Sequence, residues 1–249
     1  MVVSEEKGRE RVQKILARAG IASRRGVEKL IEQRRVTCNG NVVAIGDKAS
    51  AAVDVLSVDG IRVETEPGLE YYALNKPAGV VTTSSDPQGR ATVLDLLGEE
   101  VSGGKRLFAV GRLDKQSTGL VLLTNDGFLA NRLMHPRFEV QREYLVGVEP
   151  VPTPGHLAQL RKGVPLEDGV TAGARVSLVG ESGGRGQVAM TLHTGKKRQI
   201  RRSFEHLGYR VVSLARVRVG SLGLGSLRPG ECRRLSPGEV RDLYGQTGL

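Results

Sequence analysis

Apolar positions near the start of the chain follow a helical period and then switch to a strand period. In RERVQKILARAG (9–20), Val12, Ile15, Leu16 and Ala19 recur at i, i+3, i+4 and i+7, which makes one apolar stripe. Gly20 is placed to end that helix and Ser23 to cap a second one, in which Val27, Leu30 and Ile31 face inward. Arg24, Arg25 and Lys29 then fall on or near the exposed side of the second helix. VTCNGNVV (36–43) centres on Asn39-Gly40, a pair suited to the positive φ angles of a type I′ hairpin turn. VDVLSVDGIRV (53–63) alternates in the same way, with Asp59-Gly60 as a second turn. Two short helices and a small sheet therefore form a compact unit, and ETEPGLE (64–70), with Pro67-Gly68, reads as a linker.

Beyond the linker the chain is too rich in strands for a helical bundle. Apolar runs at 71–74, 107–110, 120–123, 144–148, 188–192 and 211–219 predict at least six strands. Helical patterns at about 92–97, 127–134, 154–161 and 199–207 lie between them. The expected class is α+β: a small N-terminal domain over 8–64, then a mixed β-sheet with flanking helices over 70–249.

Composition narrows the function more than the fold. The 249 residues hold 37 Lys+Arg against 27 Asp+Glu, a net charge of +10. Residues 7–35 carry ten basic and three acidic side chains, and residues 196–218 carry eight and one. Two separated basic segments point to two contact surfaces for a polyanion. No apolar run is long enough for a membrane span, and MVVSEEKGRERVQK has no secretory core, so the cytoplasm is the expected compartment. Cys38 and Cys232 lie in no CxxC pattern and the four histidines lack ligand spacing, so no metal is expected.

Three stretches could carry chemistry. FAVGRLDKQSTGLVLLTNDG (108–127) reads as strand, loop, buried strand and helix start, and it puts Asp114 on the loop between two core strands. That aspartate is either catalytic, or a residue that caps a turn or pairs with Arg112. Tyr144 opens a strand in HPRFEVQREYLVGV (135–148), where it is either an active-site ring or a half-buried packing residue. HTGKKRQIRRSFEHLGYRV (193–211) brings Lys196, Lys197, Arg198, Arg201 and Arg202 to a helix start, as a phosphate site or a solvated face.

These residues resemble the RsuA/RluB-type family of ribosomal RNA pseudouridine synthases. The resemblance is carried by YYALNKPAGVVTTSSDPQGRATVLDLL, GRLDKQSTGLVLLTNDG, LANRLMHP with REYLV, and GKKRQIRRSFEHLGYRVVSLARVRVGSLGLGSLRPGECRRL. Residues 1–63 are similar to the S4-type RNA-binding domain that precedes the family's catalytic domain. LANRLMHP and KGVPLEDG favour the large-subunit branch over the small-subunit branch. Gln33-Arg34-Arg35 stands where relatives usually have a glycine, and Thr194 and Ser203 also depart from the commoner residues.

The resemblance implies isomerisation of one uridine, in 23S rather than 16S rRNA, without a cofactor; a monomer is the expectation for the assembly, which no motif specifies. It assigns the essential carboxylate to Asp114, its cationic partner to Arg201 and the ring against the flipped base to Tyr144. Arg112 would help fill the gap left by the base, and Arg24, Arg25, Lys29, Lys197, Arg198 and Arg202 would contact RNA. Flipping a uridine costs roughly a few kcal/mol, least in loops and bulges. An ionised carboxylate in such a pocket needs a cation close by. A non-catalytic ribosome-assembly factor using the same basic surfaces is the competing reading, and a methyltransferase lacks its Gly-rich cofactor loop here.

Overall fold

The computed structural model describes residues 9–65, 68–97 and 105–248, which fall into two compact units. The first contains residues 9–65, 68–70 and 105–107. Its elements are β1 (Glu10–Arg11), α1 (Val12–Arg18), α2 (Arg24–Glu32), β2 (Val36–Cys38), β3 (Asn41–Val42), β4 (Lys48–Ala49), β5 (Leu56–Val58) and β6 (Ile61–Arg62). The predicted stripe is its core: Val12, Ile15, Leu16, Val27 and Ile31 are buried with Val36, Val43, Ala49 and Leu56. Ser23 caps α2 by accepting from the Gly26 N–H at 3.0 Å. Both hairpin turns take positive φ at each central residue, Asn39 (51°) with Gly40 (83°) and Asp59 (53°) with Gly60 (78°).

The missing glycine after α2 has a structural answer. Arg34 itself takes the left-handed conformation, with φ 57°. Its N–H donates to the Ile31 carbonyl at 2.9 Å and that of Arg35 to the Leu30 carbonyl at 3.0 Å, closing the helix in a Schellman-type cap.

The second unit holds residues 71–97 and 108–248. Its elements are β7 (Tyr71–Lys76), β8 (Phe108–Val110), β9 (Thr118–Thr124), α3 (Gly127–Met134), a 3-10 turn (Pro136–Phe138), β10 (Arg142–Glu149), α4 (Pro154–Lys162), β11 (Pro165–Leu166), β12 (Gly169–Val170), β13 (Arg175–Ser182), β14 (Arg185–Leu192), α5 (Gln199–His206), β15 (Arg210–Val219), β16 (Leu222–Gly223), β17 (Cys232–Arg234) and α6 (Pro237–Gly245). The main sheet runs β13-β14-β10-β15-β9-β7-β17, with β8 on β9 and β16 on β15. Every pairing in it is antiparallel except β9 with β15. This mixed sheet with helices against it is the expected α+β class.

The parallel seam divides the sheet into halves with separate cores. One buries Tyr71, Leu120, Leu122, Leu129, Leu133 and Leu243 under α3 and α6. The other buries Val146, Val148, Leu157, Leu160, Val188, Met190 and Phe204 under α4 and α5. Residues 93–97 form turns, not the expected helix. There the Thr92 N–H donates to the Asp95 carboxylate and the Asp95 N–H to the Thr92 hydroxyl, which closes a turn too short to propagate. Among the described residues no helix is long and apolar enough to cross a membrane.

Candidate active site

The loop after β8 is braced from both sides. Gly111 (φ 76°) turns the chain out of the strand, and buried Leu113 is gripped by one hydroxyl. Thr82 Oγ donates to the Leu113 carbonyl at 3.0 Å and accepts from the Leu113 N–H at 3.3 Å. The Lys115 carbonyl accepts from the Gly79 N–H at 2.8 Å and from Lys76 Nζ at 3.2 Å. The Ser117 N–H returns to the Asp114 carbonyl at 2.9 Å before β9 begins. Asp114 is thus half-buried on a rigid turn, and no described donor hydrogen-bonds its carboxylate. Arg112 is exposed and forms no ion pair with a described carboxylate, so Asp114 is not paired with it, although Asp114 does belong to a turn through its carbonyl.

Two cations feel the charge of that carboxylate without a described hydrogen bond to it. Arg201, in the first turn of α5, sends Nη1 to the Val211 carbonyl at 3.3 Å, and its Nε is buried without a described partner. Burial and neighbouring Arg198 push its pKa down, and the Asp114 charge acts in the opposite sense. Lys76 closes β7 with no exposed surface, donating to the Pro77 carbonyl at 2.8 Å. Burial pushes its pKa down to about 8, against the upward pull of Asp114.

A row of residues crosses the seam beside the loop. Tyr144 on β10 pairs with Arg216 on β15, and Arg216 pairs with Gly119 on β9. Adjacent strands lie about 4.8 Å apart, so the Tyr144 and Gly119 backbones are separated by about 10 Å. Arg216 is almost fully buried; its Nε donates to the Leu120 carbonyl at 2.7 Å, and Nη2 has no described partner. Ser117 Oγ is likewise buried and unpartnered. Donors left so in a buried site favour an oxygen-bearing ligand. Half-buried Tyr144 packs against the core of its half, and its hydroxyl is felt by Arg142.

The remaining predicted cations divide. Arg24, Arg25, Lys29 and Lys197 are exposed and form no ion pair with a described carboxylate. Arg202 is engaged by Asp168, with both nitrogens 3.0 Å from its two oxygens, and Arg198 lies 4.0 Å from Glu205. In the first unit a cleft of about 650 Å³ is lined by Arg18, Ile61, Arg62, Lys105 and Arg106 among others. Lys76 and Arg216 were not among the predicted site residues. Their signals were a lysine ending the apolar strand YYALNK, and an arginine at the same strand parity as buried Leu214.

A nine-stranded mixed sheet whose parallel seam adjoins the loop of Asp114, preceded by a small unit of two helices and short strands, is the architecture in which the class is to be sought. Residues 70–206 match the RNA pseudouridylate synthase family and residues 10–51 the S4 domain, so the chain belongs to that family and is a pseudouridine synthase. It is 45% identical to an uncharacterized RNA pseudouridine synthase of Mycobacterium leprae, over 97% of this chain and 95% of that one. It is 40% identical to ribosomal large subunit pseudouridine synthase B of Bacillus subtilis, over 94% and 95% of the two chains. A crystal structure of a pseudouridylate synthase superposes with TM-score 0.68 at 30% identity, covering 94% of this chain and 99% of that one.

Proposed function

We propose that this enzyme converts one uridine of ribosomal RNA, in the large subunit, to pseudouridine, with Asp114 as the essential carboxylate. What supports the reading is a half-buried carboxylate on a loop braced by Thr82, Gly79 and Lys76, without a hydrogen bond from any described donor, whose charge acts on Arg201 and Lys76. The relatives named for the large subunit, in Bacillus subtilis and Yersinia pestis, favour that target.

The target uridine swings out of its stack and its base meets Tyr144. Asp114 then attacks the nucleoside or removes its proton, the base detaches at nitrogen, turns and rejoins at carbon. Arg201 keeps the carboxylate charged while the base is turned, and Arg112 occupies the gap in the RNA. The domain over 8–64 holds flanking RNA through Arg24, Arg25 and Lys29, and the domain over 70–249 performs the reaction with Lys197, Arg198 and Arg202 against phosphates. Arg202 must give up part of its Asp168 pairing to do so. The protein works in the cytoplasm as a monomer.

The test is pseudouridine mapping by carbodiimide adduct and primer extension, on rRNA from cells with and without the gene. One large-subunit site should vanish and return with the wild-type gene but not with Asp114→Asn. Loss of a small-subunit or tRNA site instead would refute the target. Full modification with Asp114→Asn as the sole copy would refute the catalytic assignment.

A further inference from the structure

A ridge beside the catalytic loop stacks rings and guanidinium groups in alternation. The Arg132 guanidinium lies 4.9 Å from the centroid of Phe128 and 4.9 Å from that of Phe138, and Arg137 lies 4.5 Å from Phe138. Arg132 is fixed there by a 2.6 Å bond to the Thr247 carbonyl. Neither arginine is ion-paired to a described carboxylate, Glu139 included. Phe128 stays 52% exposed and Met134 42%.

The expenditure of residues is unusual for a packing role. Of the chain's four phenylalanines, Phe128 is more than half exposed, while Phe138 is partly buried against the core under α3 and backs the ridge. Phe204, by contrast, is completely buried. A ring that only filled space would gain more inside, since burial of an aromatic is strongly favourable.

The ridge also runs into the site. The Gly111 N–H donates to Met134 Sδ at 3.0 Å, so the end of α3 abuts the first residue of the catalytic loop. Three residues span at most about 10 Å, which bounds the Cα separation of Gly111 and Asp114. Eight residues of α3 extend the ridge by about 12 Å more. The exposed face of Phe128, guanidinium groups outside any ion pair with a described carboxylate, and contact with the loop of Asp114 match the chemistry of single-stranded RNA, whose bases stack on aromatic and arginine planes.

We propose that the Phe128–Arg132–Phe138–Arg137 ridge is a stacking surface for unpaired nucleotides next to the target uridine. This rests on the RNA-modifying role of Asp114 and adds a subsite to it. An unpaired base lies on the free face of Phe128, and Arg137 meets the phosphate or the next base.

The probe is a fluorescein-labelled oligouridylate, titrated against wild type, Phe128→Ala, Phe128→Tyr and Arg137→Ala, with a blunt RNA duplex as second ligand. Phe128→Ala should weaken oligouridylate binding at least about fivefold, with duplex binding and the salt slope unchanged. Arg137→Ala should weaken it and reduce the salt slope by about one, and Phe128→Tyr should bind as wild type. Wild-type affinity in Phe128→Ala, equal weakening toward duplex, or no oligouridylate binding by the wild type would each overturn the proposal. Failure of the underlying reading is told apart by Asp114→Asn, which must bind oligouridylate normally while losing isomerisation of rRNA.

Discussion

Gly119 and Arg216 are in closer backbone contact than a side chain at 119 would allow: a Cβ there would stand 2.2 Å from the Arg216 carbonyl oxygen and 2.7 Å from its nitrogen. Gly119 also has φ 100°, a conformation that L side chains rarely adopt. This pair is the parallel seam at the point where the loop of Asp114 becomes β9. Gly119→Ala would either force the strands apart or distort the loop carrying Asp114. We expect a loss of more than about 3 kcal/mol, seen as a melting temperature lower by about 6 °C or more. A variant melting within a degree of wild type would show that the seam can relax.

Lys76 links pH to both activity and stability, with opposite signs. It loses its proton at about 8 in the fold, compared with an ordinary 10.5. Between those values the unfolded chain binds the more protons, so the contribution of this position to stability rises with pH and is unchanged below about 8. Activity should move the other way, because deprotonation removes one of two cations that feel the charge of Asp114. Single-turnover rates should fall with an apparent pKa near 8, and Lys76→Met should abolish that limb while lowering the rate about tenfold. A wild-type rate constant from pH 7 to 10 would remove Lys76 from the account.

Arg34 stores a local strain that glycine would release. A non-glycine residue in the left-handed region costs about 1–2 kcal/mol, partly offset by the greater freedom glycine gains on unfolding. Arg34→Gly should therefore stabilise the first unit by about 0.5–1 kcal/mol in calorimetry of the full chain. A lower transition temperature for that unit would mean that the exposed Arg34 side chain contributes more than its backbone costs.

Asp126 joins three elements through one carboxylate. Its Oδ1 accepts from the N–H groups of Phe128 and Leu129 at 2.9 and 3.0 Å, capping α3. Its Oδ2 accepts from the Tyr71 hydroxyl at 2.9 Å and from that of Tyr244. Burial, with those partners, raises the pKa of Tyr71, which keeps its hydroxyl a donor. Asp126→Ala removes a cap and leaves two phenols without their acceptor, for an expected loss of about 3–5 kcal/mol. Tyr71→Phe should cost about 1 kcal/mol, so equal melting temperatures for the two variants would contradict the network.

What could be seen in the sequence was local. Ser23, Asn39-Gly40 and Asp59-Gly60 each act within a few residues of themselves, and the caps and turns they form follow from that. The end of α2 was ambiguous because Arg34 adopts a conformation that its type does not advertise. Helix α6 went unpredicted although Ser236, Pro237 and Glu239 form a full capping box, since VRDLY offers too little apolar periodicity to draw attention. The 92–97 pattern misled because hydroxyl and carboxylate bonds close a turn where a helix had apolar support. Strand order lay beyond local reasoning: β9 and β15 pair Thr118 with Ala215 and Gly119 with Arg216, far apart in the chain, and only that meeting places Arg216 and Tyr144 beside the loop. Asp114 was visible as an acid on a loop between core strands, and the resemblance supplied the role proposed for it.

The N-terminal cations make the last prediction. Arg24 and Arg25 open α2 on its exposed side, outside any ion pair with a described carboxylate, as phosphate ligands would be. A phosphate contact releases condensed counterions, so each cation adds close to one unit to the salt slope of RNA affinity. Wild-type binding to protein-free rRNA should fall steeply with salt, and Arg24→Ala with Arg25→Ala should lower the slope by about two. The double variant should lose affinity mainly at low salt, whereas Asp114→Asn should leave the slope alone because removing a carboxylate removes no phosphate ligand. An unchanged slope in the double variant would move the RNA to another face of the first unit, where the cleft of Arg18, Arg62 and Arg106 is the next surface to test by the same substitutions.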